Sequence, residues 1–143
     1  MTLEQTLNQR IADFAVLYFK LHHFHWFVEG KGFYSLHTLF EALYDEATAL
    51  LDQYAERLLA IGGTPASTMQ AYLSLTTLSE ATTESDATAI AHVLIADYST
   101  IVSALKTGIP VAEGENDPST ADLFIATIAG LEKHLWMLKQ FVK

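Results

Sequence analysis

The sequence predicts an all-α fold: four long helices in a bundle, with a short extra helix in the connection between the second and third. Three observations predict it. Apolar residues recur at intervals of three and four in four separate stretches, the period of a helix with one buried face. Helix punctuation brackets those stretches, with Thr2, Ser85, Asp86 and Asp117-Pro118 where helices open and Gly62-Gly63 and Gly108 where they close. No stretch carries a strand signal.

The first helix is expected from Thr2 or Leu3 to about Val28. Thr2 with Gln5 three residues on fits a capping box. Leu3, Leu7, Ile11, Phe14, Tyr18, Leu21 and His25 follow its buried line. Glu29–Tyr34, with Gly30 and Gly32, reads as a turn, so the next helix runs back alongside the first. That second helix opens near Ser35 and ends about Ile61, where Gly62-Gly63 and then Pro65 stop it. Residues 64–85 are rich in Thr and Ser. Their one periodic piece, Met69, Tyr72, Leu73 and Thr76, reads as a short helix crossing the bundle. A connection of this length lets the third helix start at the opposite end. It is expected over Asp86–Lys106, with Gly108 as its stop and an acidic loop over 108–117. Asp117 as cap and Pro118 at the first turn open the fourth helix, which runs to the C-terminus. Leu123, Phe124, Ile128, Leu131, His134, Leu135, Leu138 and Phe141 mark its buried side, with Trp136 and Met137 read as packing residues. The whole of 1–143 reads as one domain.

The second helix carries the chemistry. His37 and Glu41, then Asp52 and Glu56, form two pairs spaced i, i+4. At about 100° per residue, with His37 at zero, Glu41 falls near 40°, Asp52 near 60° and Glu56 near 100°. One stripe holds all four. An acidic stripe of this kind is ordinarily a solvated face, but here Ala55 and Leu59 lie among the acids, as on a covered surface. Glu46, Gln53 and Arg57 fall on the far side and read as solvated. His37 and Glu56 stand roughly 28 Å apart along the axis at about 1.5 Å per residue, and metal–ligand bonds are about 2.0–2.6 Å. One helix cannot close both pairs on one ion. A second copy, antiparallel across a two-fold axis near Glu46 and Ala47, brings Asp52 and Glu56 of one chain to Glu41 and His37 of the other. His25, at the end of the first helix, meets His37 at the start of the second and joins the candidate ligands. His22, His23 and His92 read as surface or packing residues.

Composition narrows the classes. A net charge of −9 speaks against a nucleic-acid surface and favours attracting cations. Half the residues are apolar and only 17% charged, which suggests surface covered by partners. There is no Cys, hence no thiolate metal site. No apolar run approaches the ~20 residues of a membrane span, and MTLEQTLNQR lacks the form of a signal peptide, so the expected location is the cytoplasm.

Four long helices, a crossover and inward acids make a ferritin-like bundle, an architecture that builds metal sites from carboxylates and His. Its intra-bundle di-iron version needs two Glu-x-x-His motifs, and this chain has none. The stretch LHHFHWFVEGKGFYSLHTLFEALYDEATALLDQYAERLLAIGGTPAST, with TADLF and EKHLWML later, resembles the Dps-type mini-ferritins. The signature is HW, then LH twelve residues on, then D-x-x-x-E-R and GG-x-P. The resemblance implies a hollow shell of twelve subunits built from dimers, a ferroxidase oxidising Fe(II) with hydrogen peroxide in preference, and ferric mineral stored inside against oxidative stress. It implies that one chain supplies His25, His37 and Glu41, and its partner Asp52 and Glu56, to two iron positions that Zn could also fill. The family often has Asp where this chain has Glu41. The resemblance places Trp26 near the centre, where it would intercept stray oxidising equivalents, and iron-entry pores near the start of the fourth helix, with Asp122 as first candidate and Asp117 as second. DNA-binding members carry Lys/Arg-rich tails. The N-terminal ten residues here hold one Arg, and Lys143 directly follows the last helix, so DNA binding is not expected. The rival readings are a nucleoid protein and a structural shell with a vestigial metal site.

Overall fold

The computed structural model describes residues 1–143 as five helices: α1 (Leu3–Phe27), α2 (Phe33–Ala60), α3 (Met69–Leu75), α4 (Ala87–Gly114) and α5 (Pro118–Phe141). α1 lies against α2, α4 against α5 and α1 against α4, while the short α3 crosses α1. This is the predicted bundle with its extra helix in the crossover.

The helix starts follow local chemistry. Thr2 Oγ1 accepts from Gln5 N at 3.1 Å, and Thr2 N donates to Gln5 Oε1 at 2.9 Å, closing the capping box. Asp86 and Asp117 cap α4 and α5 through Ala89 N and Thr120 N. α2 begins at Phe33, two residues before the expected Ser35, because Gly32 takes φ +89° and the chain enters the helix directly. A Cβ on Gly32 would lie 2.9 Å from the Phe141 ring, so this turn also seats the end of α5.

The end of α4 differs from expectation. It runs through Gly108 and Pro110 to Gly114, so most of the expected acidic loop is helix. Gly108 is a close approach, not a stop. A Cβ there would lie 3.0 Å from Phe124 Cε2 and 3.1 Å from Thr6 Cγ2. Leu105, Gly108 and Ala112 extend the buried line past the breakers, and packing outweighs local propensity. Pro110 costs one rung of the backbone ladder. α4 is also long and apolar enough to cross a membrane by length and composition, contrary to the sequence expectation. In the fold its buried face packs into the bundle and carries Asp97, which is paired with Lys20.

One apolar core joins all the long helices, built on Leu7, Phe14, Phe24, Phe40, Tyr54, Leu94, Ile101, Phe124 and their neighbours. Burial raises the Tyr54 and Tyr98 phenols far above their ordinary value, so both stay protonated. Tyr54 Oη donates to Thr127 Oγ1 at 2.7 Å, joining α2 to α5 inside that core. Two buried charges on α1 hold the crossover. The Asp13 carboxylate accepts from Arg10 Nε, from Thr76 Oγ1 and from Thr77 N and Oγ1. Lys20 Nζ reaches Asp97 Oδ2 and the Ser79 carbonyl, both at 2.8 Å. Burial pushes the Asp97 carboxyl up, and the Lys20 ammonium pulls it part of the way back.

Two residues expected to be solvated are engaged. Arg57 donates to Thr120 Oγ1 at 2.9 Å and to Asp117 Oδ1 at 3.0 Å, and Glu46 pairs with His134 at 2.8 Å. Their side of α2 faces α5. Trp136 and Met137, expected to pack, lie exposed on α5.

Candidate metal centre

The turn 28–32 folds α2 back on α1 so that His25, in the last turn of α1, meets His37, in the second turn of α2. The rings stack with centroids 3.8 Å apart and planes 11° off parallel. His25 Nδ1 lies 2.7 Å from the His37 carbonyl, and His37 Nδ1 lies 2.8 Å from the His25 carbonyl. A carbonyl can only accept, so both Nδ1 atoms carry the proton. In the neutral rings, each Nε2 is then a bare lone pair, the form in which imidazole binds a metal. The sequence explains the lock. His25 sits where α1 ends and its carbonyl has lost the next turn's N–H, so the His37 ring takes that place.

Aromatic neighbours fix the pair. Phe33 stacks on His37 at 4.9 Å, and Tyr44 stands edge-on to His25 at 5.4 Å. His22 stacks on Tyr44 at 3.7 Å and contacts Trp26 at 5.4 Å. Burial, with the Glu41 and Asp45 charges behind it, raises the Tyr44 phenol. The sequence pattern gives Phe33 no role and places Tyr44 only on the apolar arc of the second helix, where it does pack against the core. Their i−4 position to His37 and i+3 position to Glu41 were the available signal.

The acids lie further along. Glu41, one turn after His37, is exposed. Asp52 and Glu56 are also exposed and close to each other. Asp52, through a shared hydrogen bond first and its charge second, raises the Glu56 carboxyl. Two carboxylates so placed favour a cation between them. His37 and Asp52 are separated by about 22 Å of helix at about 1.5 Å per residue. Within one chain the two halves stay apart, and no three His, Asp or Glu side chains gather closely enough to hold a metal ion. The surface around them is apolar and open, with Trp26, Phe27 and Leu59 exposed.

The two pore candidates differ. Asp117 has both oxygens engaged by Thr120 and Arg57. Its burial is outweighed by these donors, which hold the carboxyl below its usual range. Asp122 is exposed and makes no ion pair.

A family model for the ferritin-like domain matches residues 4–143. The chain is 41% identical over 138 residues to DNA protection during starvation protein 2 of Bacillus anthracis, covering 96% of this chain and 94% of that one. It is 44% identical over 137 residues to the DNA protection during starvation protein of Brevibacillus brevis, covering 96% and 92%. The crystal structure of Dps from Staphylococcus aureus superposes with a TM-score of 0.96 at 38% identity, over 99% of this chain and 95% of that one. A Dps protein from Bacillus brevis does so with a TM-score of 0.96 at 42% identity, over the same shares. The chain therefore belongs to the ferritin-like family and, within it, to the Dps-type mini-ferritins.

Proposed function

We propose that residues 1–143 form a single-domain ferroxidase subunit that oxidises Fe(II) at sites shared between two copies of the chain and stores the ferric product in a closed shell of twelve. The observation that carries this reading is the locked pair His25–His37. Two imidazoles present bare Nε2 atoms at one end of α2, and two carboxylates wait, unpartnered by any cation, near the other. An antiparallel copy of α2 supplies each half with the other.

In this reading Asp52 and Glu56 of one chain hold the first iron. His25, His37 and Glu41 of the other chain complete it and hold a second. Imidazole and carboxylate suit Fe(II), and Zn(II) fits the same donors. Two irons give one electron each to hydrogen peroxide, which with two protons leaves as two waters. The clustered carboxylates stabilise the added positive charge on the product. Glu41, longer than the Asp common in the family, sets its oxygens further from the helix. Asp122, free where Asp117 is engaged, is our candidate for the iron-entry pore. The reaction consumes both reagents of hydroxyl-radical chemistry, which is how we read protection of DNA in this chain. Arg10, Lys20 and Arg57 are taken up by internal ion pairs, which supports protection without DNA binding. The absence of Cys is compatible with the cytoplasm, where we place the protein.

The test is anaerobic loading with Fe(II), then peroxide or oxygen, followed by ferric absorbance. Faster oxidation per electron by peroxide is the expected result. A His37→Ala, Asp52→Ala double variant that oxidises iron at the parent rate removes the assignment.

A further inference from the structure

We infer that the cleft between the early turns of α1 and the late turns of α4 is a binding site for a small organic carboxylate, held by Arg10. It is a separate place from the metal centre. Arg10 and His25 stand roughly 22 Å apart along α1 at about 1.5 Å per residue.

The cleft encloses about 310 Å³, with Thr77 of the crossover closing one side and Thr107 of α4 another. Arg10 lines it and is itself only 3% exposed. A guanidinium carries five N–H groups. Here Nε donates to Asp13 Oδ2 at 3.1 Å and Nη2 donates to Gln9 Oε1 at 3.3 Å. Nη1 has no protein acceptor, and it is not among the interior atoms cut off from solvent. Nη1 and the second N–H of Nη2 therefore form an open edge on the cleft. Such a planar fork, fixed in place by its other bonds, takes a carboxylate through two parallel N–H bonds.

Charge and donors narrow the ligand. Asp13 already balances the Arg10 charge, and the chain carries a net −9, so a monoanion suits the site better than a dianion. The hydroxyls point the same way. Thr6 Oγ1 donates to the Thr2 carbonyl, Thr77 Oγ1 to Asp13 and Thr107 Oγ1 to the Ser103 carbonyl. Their protons are spent, which leaves Arg10 and the Gln9 amide as the side-chain donors on the lining. A phosphate would keep oxygens unmet there, at a cost in affinity. One carboxylate is satisfied by the fork. Ala104, Val111 and the Thr methyls make up the rest of the wall and fit a compact apolar body.

The test is a ligand-observed NMR titration of the full chain with benzoate, benzyl alcohol and inorganic phosphate. Benzoate, with about nine non-hydrogen atoms, is expected to bind saturably, once per chain, with a Kd of about 1 mM. Benzyl alcohol has the ring without the charge, and phosphate the charge without the ring. Both are expected to bind at least about tenfold more weakly. R10Q is expected to lose benzoate by at least about tenfold, with circular dichroism to check that it folds. T107E keeps Arg10 and Asp13 together, sets a carboxylate at an exposed edge of the cleft and is expected to lose benzoate to the same extent. T107A, which removes only a hydroxyl spent on α4 itself, is expected to keep it. Parent-like benzoate binding in T107E, or in a folded R10Q, overturns the inference. Benzyl alcohol binding as tightly as benzoate makes the cleft a plain apolar pocket, and phosphate doing so makes it a site for an adventitious ion only. Either result overturns the inference, as does the lack of a saturable benzoate signal up to about 50 mM.

Discussion

His25 and His37 each clasp the other's main chain: each Nδ1 donates to the partner residue's carbonyl, at 2.7 and 2.8 Å, while the rings lie face to face. The orientation of the two rings and the α1–α2 turn are therefore one structure. Removing either ring disturbs both the donor atom and the carbonyl it covered.

His37→Ala is accordingly expected to weaken Co(II) or Zn(II) binding by at least about tenfold, within the range seen when ligands lose their orientation. It uncovers the His25 carbonyl at a partly wet helix end, so the stability loss is expected at about 1 kcal/mol. Anaerobic titration calorimetry and denaturant unfolding measure the two separately. Unchanged affinity removes His37 from the site.

Mixing distinguishes a shared site from a private one. His37→Ala and Asp52→Ala homodimers are both expected to be inactive in iron oxidation. Unfolded together and refolded, half of the dimers are mixed, and each mixed dimer has one intact site. About a quarter of the parent activity should return. No recovery from a correctly refolded mixture means that each chain keeps its own centre.

Asp13 is a stability residue. Its carboxylate is fully buried against Arg10 and also serves Thr76 and Thr77. Asp13→Ala leaves a buried guanidinium without its partner, and about 3–5 kcal/mol is the expected loss in chemical denaturation. A loss under about 1 kcal/mol shows that water reaches Arg10 readily. Tyr54→Phe, by contrast, removes one neutral hydrogen bond to Thr127 and should cost about 1 kcal/mol.

Asp117 sets part of the acid limit. Its folded value lies below the ordinary one of about 3.9. The ionised form is therefore favoured in the folded chain. The stability it adds is complete above the unfolded value and is lost as pH falls through the folded one. Asp117→Asn is expected to flatten the stability–pH curve below about pH 4, with little change in shape above pH 6. An unchanged acid limb assigns that limit to other carboxylates.

The bundle was legible because its signals were local. Capping residues, the Gly-rich turn and the 3–4 spacing each act within a few residues, and Thr2, Asp86 and Asp117 cap as expected. The end of α4 was not legible, because Gly108 and Pro110 carry breaker chemistry while their context is set by Phe124 and Thr6, far along the chain. The bonding of Glu46 and Arg57 was missed for the same reason. Their partners, His134 and Thr120 on α5 and its cap Asp117, belong to a helix whose rotation about α2 no single-helix pattern specifies. Of the candidate site, the meeting of His25 and His37 followed from the short turn. The reciprocal carbonyl bonds did not, because they depend on how far the rings overlap.

Asp13 and Lys20 stand seven residues apart on α1, two turns along one side, with opposite signs. One grips residues 76 and 77; the other grips residue 79 and, across the bundle, residue 97. These are distant partners in sequence, and neither grip exists until α1 is helical and the chain has doubled back on it. Helices form locally in about a microsecond, whereas these crossover contacts span 59 to 64 residues of chain, whose closure entropy is met before the contact is gained. The crossover should thus be the last segment to gain protection from hydrogen exchange during refolding, and the middle turns of α1 the template on which it is caught.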